Sequence, residues 1–465
     1  MWLAVAAALC TLLGFLIASL ALDQGKSPAD FLLHSCFILC LGVGGFSVLF
    51  LIARVFNLPH LFKADLLAIT LLGAIRLLAR CPRKPSNRGL HEKLTFPAGI
   101  HRLLTVSFVF SASVAGYSAV TGAIVHPHGD GWDAFAIWNL HARFLFLGGA
   151  RWRDGYSTLI PWSHPDYPPL VPAAVAHFWS YLGNDSPAIP AVLGFVFALS
   201  TVVLLCSALT RMRGGDAAML GGLTLVSTPF FVSQAAAQYA DIPLSFFFLS
   251  TLVLLYEYST SGSKRTLALA GLCAGFAAWT KNEGLLFLFS AVIGQILPML
   301  LGKRPVGTRK RREVFAFLIG AAPLLALDLW FKHFIAPPGD LFTTPASMIS
   351  KAMTPLRYLV ILKWFGKQFL RFGDWWLIPV TLVLVALYFL SSRNEKLRED
   401  AALHASLWTL VLTLVGYFAI YVITPNELYW HLRFSLNRLL LQVWPSGLFL
   451  FFCSVSLRRG PEVSK

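Results

Sequence analysis

The chain has 465 residues, 57% of them hydrophobic and only 13% charged, with a mean hydropathy of +0.67 and a formal net charge of +16. That composition excludes a soluble multidomain protein, and long unbroken apolar runs exclude the alternating pattern of a membrane barrel. The basic excess falls in short clusters between apolar runs, at 80–93, 211–213, 264–265, 303–312, 393–398 and 458–459. This is the pattern of cytoplasmic membrane loops and not of a nucleic-acid-binding face.

In chain order, spans are predicted at 3–22, 31–56, 64–79 and 99–125. The first lacks a basic leader and a small-residue cleavage site, so it reads as a span and not as a signal peptide. Residues 126–168 form a long loop crowded with His, Asp, Arg and Trp, too aromatic to be disordered and too long to be a plain connection. Residues 169–182 are apolar but short. A full span there would put Arg211 and Arg213 on the wrong side, so a partial helix is expected. Further spans follow at 189–210, 217–235, 242–258, 266–280, 284–301, 315–334, 376–390, 402–423 and 439–457. The expected fold is therefore all-α, a polytopic transmembrane bundle of about thirteen spans. Cys10, Cys36, Cys40, Cys206, Cys273 and Cys453 lie inside apolar runs, where cysteine packs as a small hydrophobe, and no disulfide framework is expected.

If every basic cluster is cytoplasmic, parity places the loop 126–168, the turns 237–241 and 281–283, and the segments 336–374 and 425–438 on the outer face. Arg143, Arg151, Arg153, Lys351, Arg371, Arg433 and Arg438 then lie outside, against the usual charge bias. Binding an anionic group would explain them.

Four clusters carry chemistry. In GDGWD, Asp130 and Asp133 follow a span directly. Asp133 either caps the amphipathic stretch after it or takes a proton from an acceptor hydroxyl at the membrane boundary. Asp241, in AQYADIP, is either a helix cap or a second acid on the same face. Lys281 and Glu283, in TKNEG, sit at the tip of an apolar hairpin, where ionisable groups are costly. Tyr429, Trp430 and His431 precede Arg433 and Arg438; the aromatics suit membrane anchoring, and the guanidiniums suit a phosphodiester or pyrophosphate. Arg143 and His164 join them as candidate substrate contacts. His126, His128, Asp130 and Asp133 match no closed zinc site, and a divalent metal on these carboxylates stays open. The chain carries no P-loop, nucleotide fingerprint or serine elbow.

On these residues the chain resembles the GT-C superfamily of polytopic glycosyltransferases, which includes the dolichyl-phosphate-mannose protein mannosyltransferases and the bacterial aminoarabinose transferase of lipid A. The resemblance rests on an acid in the first large loop (Asp133, with Asp130 beside it) and a helix start at Pro168, Pro169 and Leu170. It continues with Ser227 to Phe230, Asp241, and the hairpin of Thr280, Lys281 and Gly284. It covers roughly 99–457, leaving 1–95 as additional N-terminal spans before a module at 96–460. Two features depart from the family: Asp133 is followed by Ala134 where an Asp-Glu pair is usual, and no soluble domain follows the last span.

The resemblance implies transfer of a sugar from a polyprenyl-phosphate donor to a glycan, lipid or protein acceptor on the periplasmic or outer face of a plasma membrane. It implies catalytic roles for Asp133, Asp130 and Asp241, and substrate contacts for Lys281, Glu283, Arg433, Arg438, His431, Arg143 and His164. No nucleotide cofactor and no nucleic-acid partner are expected. A transporter or flippase of a lipid-linked sugar is the alternative. Such proteins place polar residues at the midplane on broken helices in repeated halves, whereas this chain gathers its charge at span ends.

Overall fold

The computed structural model describes residues 1–22, 27–78, 93–300, 308–339, 341, 344–375, 379–393 and 401–456. The basic stretches at 80–92, 303–307, 394–398 and 458–459 lie outside the described residues. The chain is a helical bundle: α1 (Trp2–Ser19), α2 (Pro28–Val55), α3 (Leu61–Leu78), α4 (Ala98–Val125), α5 (Asn139–Leu147), α6 (Leu170–Leu182), α7 (Ala188–Arg213), α8 (Gly215–Val226) and α9 (Pro229–Ala236). It continues with α10 (Asp241–Ser261), α11 (Lys264–Thr280), α12 (Asn282–Leu300), α13 (Thr308–Phe334), α14 (Pro345–Ala352), α15 (Pro355–Arg371), α16 (Val380–Leu390), α17 (Ala401–Ile423) and α18 (Leu428–Ser454). A two-residue antiparallel pairing, Ser392–Arg393 with Val455–Ser456, is the one departure from all-helical structure among the described residues.

Eight helices are long and apolar enough to cross a membrane, and nine if α8 and α9, which meet at 66°, count as one span. This is an integral, multi-pass membrane protein. The other four predicted spans are helices too: α3, α11, α12 and α16 are shorter or more charged than a lone span would be. The short segment at 169–182 is α6, 13 residues long and buried along most of its length.

At the centre stands α10, buried at every position from Asp241 to Tyr256. Around it the helices approach closely through small residues, the usual way to pack helices that share an apolar solvent. A Cβ on Gly271 of α11 would lie 1.9 Å from the Phe317 carbonyl oxygen of α13, and one on Gly14 of α1 would lie 1.8 Å from that of Ile38 on α2. The bend between α8 and α9 falls at Thr228 and Pro229, where proline starts the new helix without an N–H to satisfy. Trp444 Nε1 donates to Thr228 Oγ1 at 3.2 Å, and the Phe230 N–H donates to the Gly373 carbonyl at 3.1 Å, so the bend is held from α18 and from the segment after α15.

The first three helices are tied to the rest by a polar contact inside the bundle. Asp65 of α3 is fully buried; its Oδ2 lies 2.9 Å from His177 Nε2 and accepts from Tyr181 Oη at 2.6 Å, both on α6. His177 Nδ1 faces the Phe46 carbonyl of α2 at 2.9 Å, and its ring stacks on Phe46 at 3.9 Å. Removing one member of a buried pair strands the other, at a cost of about 3–5 kcal/mol. His177→Ala should therefore lower the thermal unfolding midpoint of the purified protein in detergent, and Asp65→Leu in the same chain should restore much of it. A double variant no more stable than the single one would show that Asp65 is not the stranded partner.

Candidate active site

The site begins where α4 leaves the apolar region. Gly129 (φ +88°) and Gly131 (φ +90°) take left-handed backbone conformations that side chains resist. A Cβ on Gly129 would lie 2.3 Å from that of Ala134, and one on Gly131 would lie 2.6 Å from Tyr239 Oη. This tight turn presses the loop onto the Ala237–Tyr239 turn and leads into a short π-helical stretch, Ala134–Trp138, that runs straight into α5. Asp133 occupies the cap position, yet its side chain makes no cap hydrogen bond. It reaches instead to Arg438 on α18.

Arg438 joins the two acids. Its Nη1 donates to Asp133 Oδ2, and its Nε donates to Asp241 Oδ2 at 2.8 Å. The same guanidinium lies over the Tyr239 ring, 4.7 Å from its centroid. The second oxygen of Asp241 accepts from Gln442 Nε2 at 2.6 Å and from Lys281 Nζ at 3.1 Å. Gln442, one turn beyond Arg438, has its own carbonyl held by Tyr417 Oη of α17 at 2.6 Å. Lys281 pairs in turn with Glu283 at 2.9 Å and lies 5.7 Å from the Tyr167 ring centroid. Loop, α10, the α11–α12 hairpin, α17 and α18 thus converge on one ion cluster.

Exposure is graded across it. The side chain of Asp241 is 0% exposed, Lys281 5%, Glu283 13%, Arg438 17% and Asp133 25%. Asp241 is the sealed anchor and Asp133 the open edge. Burial alone would depress the Lys281 pKa, but the Asp241 and Glu283 carboxylates outweigh it and hold the ammonium above its ordinary value. Burial, with Asp133 next, pushes Tyr239 up to about 12, and burial raises Tyr167 well above the ordinary phenol range. Both are neutral donors and ring platforms at any physiological pH.

A second polar group adjoins the first. Asn282 Nδ2 donates to Asp166 Oδ2 at 2.7 Å, and Lys332 of α13 donates to Asn282 Oδ1 at 2.5 Å and to the Asp166 carbonyl at 3.2 Å. Tyr167, next in the chain, stacks with Trp138 (5.7 Å) and with His164 (4.8 Å). Asp328, one turn before Lys332, is fully buried, and neither of its oxygens has a hydrogen-bond partner among the described residues.

Of the residues singled out in the sequence, Asp133, Asp241, Lys281, Glu283 and Arg438 are brought together, and His164 stands one ring away. Asp130 is exposed and, among the described residues, has no hydrogen bond or ion pair to the cluster. Arg143 pairs with Asp185 at 3.1 Å, His431 Nδ1 faces Thr424 Oγ1 at 2.8 Å, and exposed Arg433 lies over Phe434. No group of three His, Cys, Asp or Glu side chains able to hold a metal converges among the described residues. Asp166, Tyr167, Lys332, Tyr417 and Gln442 escaped the sequence reading. Gln442 had a readable signal, being an amide inside an apolar run one turn after Arg438.

Residues 164–330 match the family model of dolichyl-phosphate-mannose-protein mannosyltransferase. This match, over about a third of the chain, supports a membrane glycosyltransferase of the GT-C type. No curated protein and no solved structure matches it. The matched stretch takes in Asp166, Tyr167, Asp241, Lys281, Asn282 and Glu283. Asp133 and Arg438 lie outside it, on elements that pack against it. In this protein the two arginines of α18 should behave differently. Arg438→Ala strands two carboxylates and should lower the unfolding midpoint in detergent, whereas Arg433→Ala removes an exposed cation and should leave the melt unchanged. Equal shifts would disprove the central place of Arg438.

Proposed function

We propose that the protein transfers a sugar from a polyprenyl-phosphate carrier to an acceptor hydroxyl at the outer face of the membrane. The observation that carries this reading is the Arg438 fork between an exposed acid, Asp133, and a buried one, Asp241. The acceptor oxygen attacks the anomeric carbon, the bond from that carbon to the phosphate oxygen breaks, and the acceptor proton passes to Asp133. The lipid phosphate leaves with its charge held by Arg438 and Lys281. Asp241 touches neither substrate; it is a positioning residue that fixes both cations. Arg438 supplies the positive charge between the carboxylates that a divalent metal would otherwise bring.

The outer placement follows from the positive-inside bias of the basic clusters. Residues 1–95 read as an addition to a module at 96–460, tied to it through α6. The sugar being hexose or pentose, and the acceptor glycan, lipid or protein, the same chemistry holds.

Cells lacking the protein should accumulate an unconsumed polyprenyl-phosphate sugar, identifiable by mass spectrometry. With that donor and purified protein, Asp133→Asn should cut transfer by about 10²-fold or more while leaving the melt near wild type, and Asp130→Asn should cut it less. Arg438→Lys keeps charge without the fork and should raise the apparent KM for the donor, and Arg438→Ala should raise it further. Full transfer by Asp133→Asn would remove the base from the mechanism.

A further inference from the structure

Between α4 and the bent pair α8–α9 runs an open groove of about 590 Å³, within the size range of small-molecule sites. α4 packs on the bundle chiefly through α8 and α9, and Ala119 is its one buried residue. Its wall on α4 runs from Phe110 to Gly122, about 18 Å of helix. That is slightly more than half of a hydrocarbon core roughly 30 Å thick, the depth of one leaflet. The facing wall is apolar at Val226, Pro229, Val232 and Ala236. Ser111, Ser118, Ser227 and Ser233 add hydroxyls along both walls, and at one end stand His126 and Asp130; no Lys or Arg lines the groove among the described residues.

We propose that this groove seats the sugar acceptor, and that the acceptor is a membrane amphiphile with an uncharged, hydroxyl-bearing head at Asp130 and His126. The proposal rests on the glycosyltransferase reading above and names the acceptor class for it. The charge of the groove selects the occupant. A phosphate head would face the Asp130 carboxylate with no cation beside it, a repulsion that grows as the dielectric falls near lipid. A hydroxyl head donates to the carboxylate instead. The cations a phosphate needs, Arg438 and Lys281, stand beyond the turn at Gly131 and the Tyr239 ring. The groove therefore delivers a hydroxyl to the Asp133 edge of the cluster, three residues along from Asp130, and leaves the Arg438–Lys281 side to the anionic donor.

The test uses the full chain in lipid nanodiscs with two photoreactive lipids that carry the same diazirine acyl chain. One has a glucosyl head and the other is phosphatidic acid. Crosslinks are mapped by mass spectrometry. The glucosyl lipid should label 110–122 and 226–236 several-fold above phosphatidic acid at equal mole fraction. Ser118→Trp, at an exposed position that lines the groove, should abolish that labelling. Asp130→Lys should invert the preference. Equal labelling by both lipids in the wild type, labelling untouched by Ser118→Trp, or a preference that Asp130→Lys does not change would each overturn the proposal. Labelling needs no turnover, so it should survive Asp133→Asn. A loss of transfer in Asp133→Asn without selective labelling of the groove would sink this inference and leave the proposed reaction standing.

Discussion

A carboxylate with no exposure to solvent has to be answered by donors, and Asp241 is answered by three. Gln442, Lys281 and Arg438 all reach it. Each comes from a different part of the chain or a different turn, so satisfying one buried acid fixes the α11–α12 hairpin and α18 against α10. Burying an ion is tolerated only with such geometry, since each charge loses several kcal/mol of hydration. Arg438 suits the task because its planar fork serves two acids at once, which an ammonium could not do with the same direction. The loop after α4 is fastened by the second tine of that fork. What looks like a long surface connection is therefore tied to the buried central helix α10.

The same logic explains the support behind the site. Tyr167 lies under Lys281 and stacks with two further rings, and it leads directly into α6. α6 is in turn held by Asp65 through His177 and Tyr181. The N-terminal helices thus brace the site through α6, and also through Ser47 of α2, which accepts from Trp279 Nε1 at 2.8 Å just before Lys281. On the other flank, Lys332 holds the backbone carbonyl of Asp166 and Asn282 holds its carboxylate, so Tyr167 is fixed from both neighbours.

Much of the architecture was legible because hydropathy and charge placement are local properties. Every predicted span coincides with a helix or a bent pair, and the partial helix at 169–182 is α6. The site was legible by residue and not by pairing. Asp133, Asp241, Lys281 and Arg438 stand out because ionisable groups at span ends are costly, but nothing in the order of the chain says that Arg438 takes Asp133 across 305 positions. Two cap readings compete with function at Asp133 and Asp241, and the geometry shows neither side chain capping: both carboxylates face Arg438. The sequence treated Arg433 and Arg438 alike. Helical periodicity separates them, because five residues turn a helix by about 140° beyond a full turn. One faces the cluster and the other lies exposed over Phe434. Arg143 misled for a related reason: its partner Asp185 lies past the next helix, and it offers no signal until the chain is folded.

Charge counting in the resting cluster shows how acceptor and donor steps can be linked in the proposed reaction. Asp133, Asp241 and Glu283 carry three negative charges against the two positive charges of Arg438 and Lys281, so the cluster is anionic by one before any phosphate arrives. The cations are not saturated. A guanidinium has five N–H donors and an ammonium three, and the carboxylates use two of each cation's donors among the described residues. The spare donors can grip a phosphate, but full neutralisation has to wait. When Asp133 takes the acceptor proton it loses its charge, and with it most of its hold on Arg438. The guanidinium is then free to follow the charge building on the departing lipid phosphate. Proton capture at one tine of the fork strengthens the grip at the other end of the breaking bond, so stabilisation grows as the transition state forms and not before, which is the condition for accelerating a reaction and not merely binding its substrates.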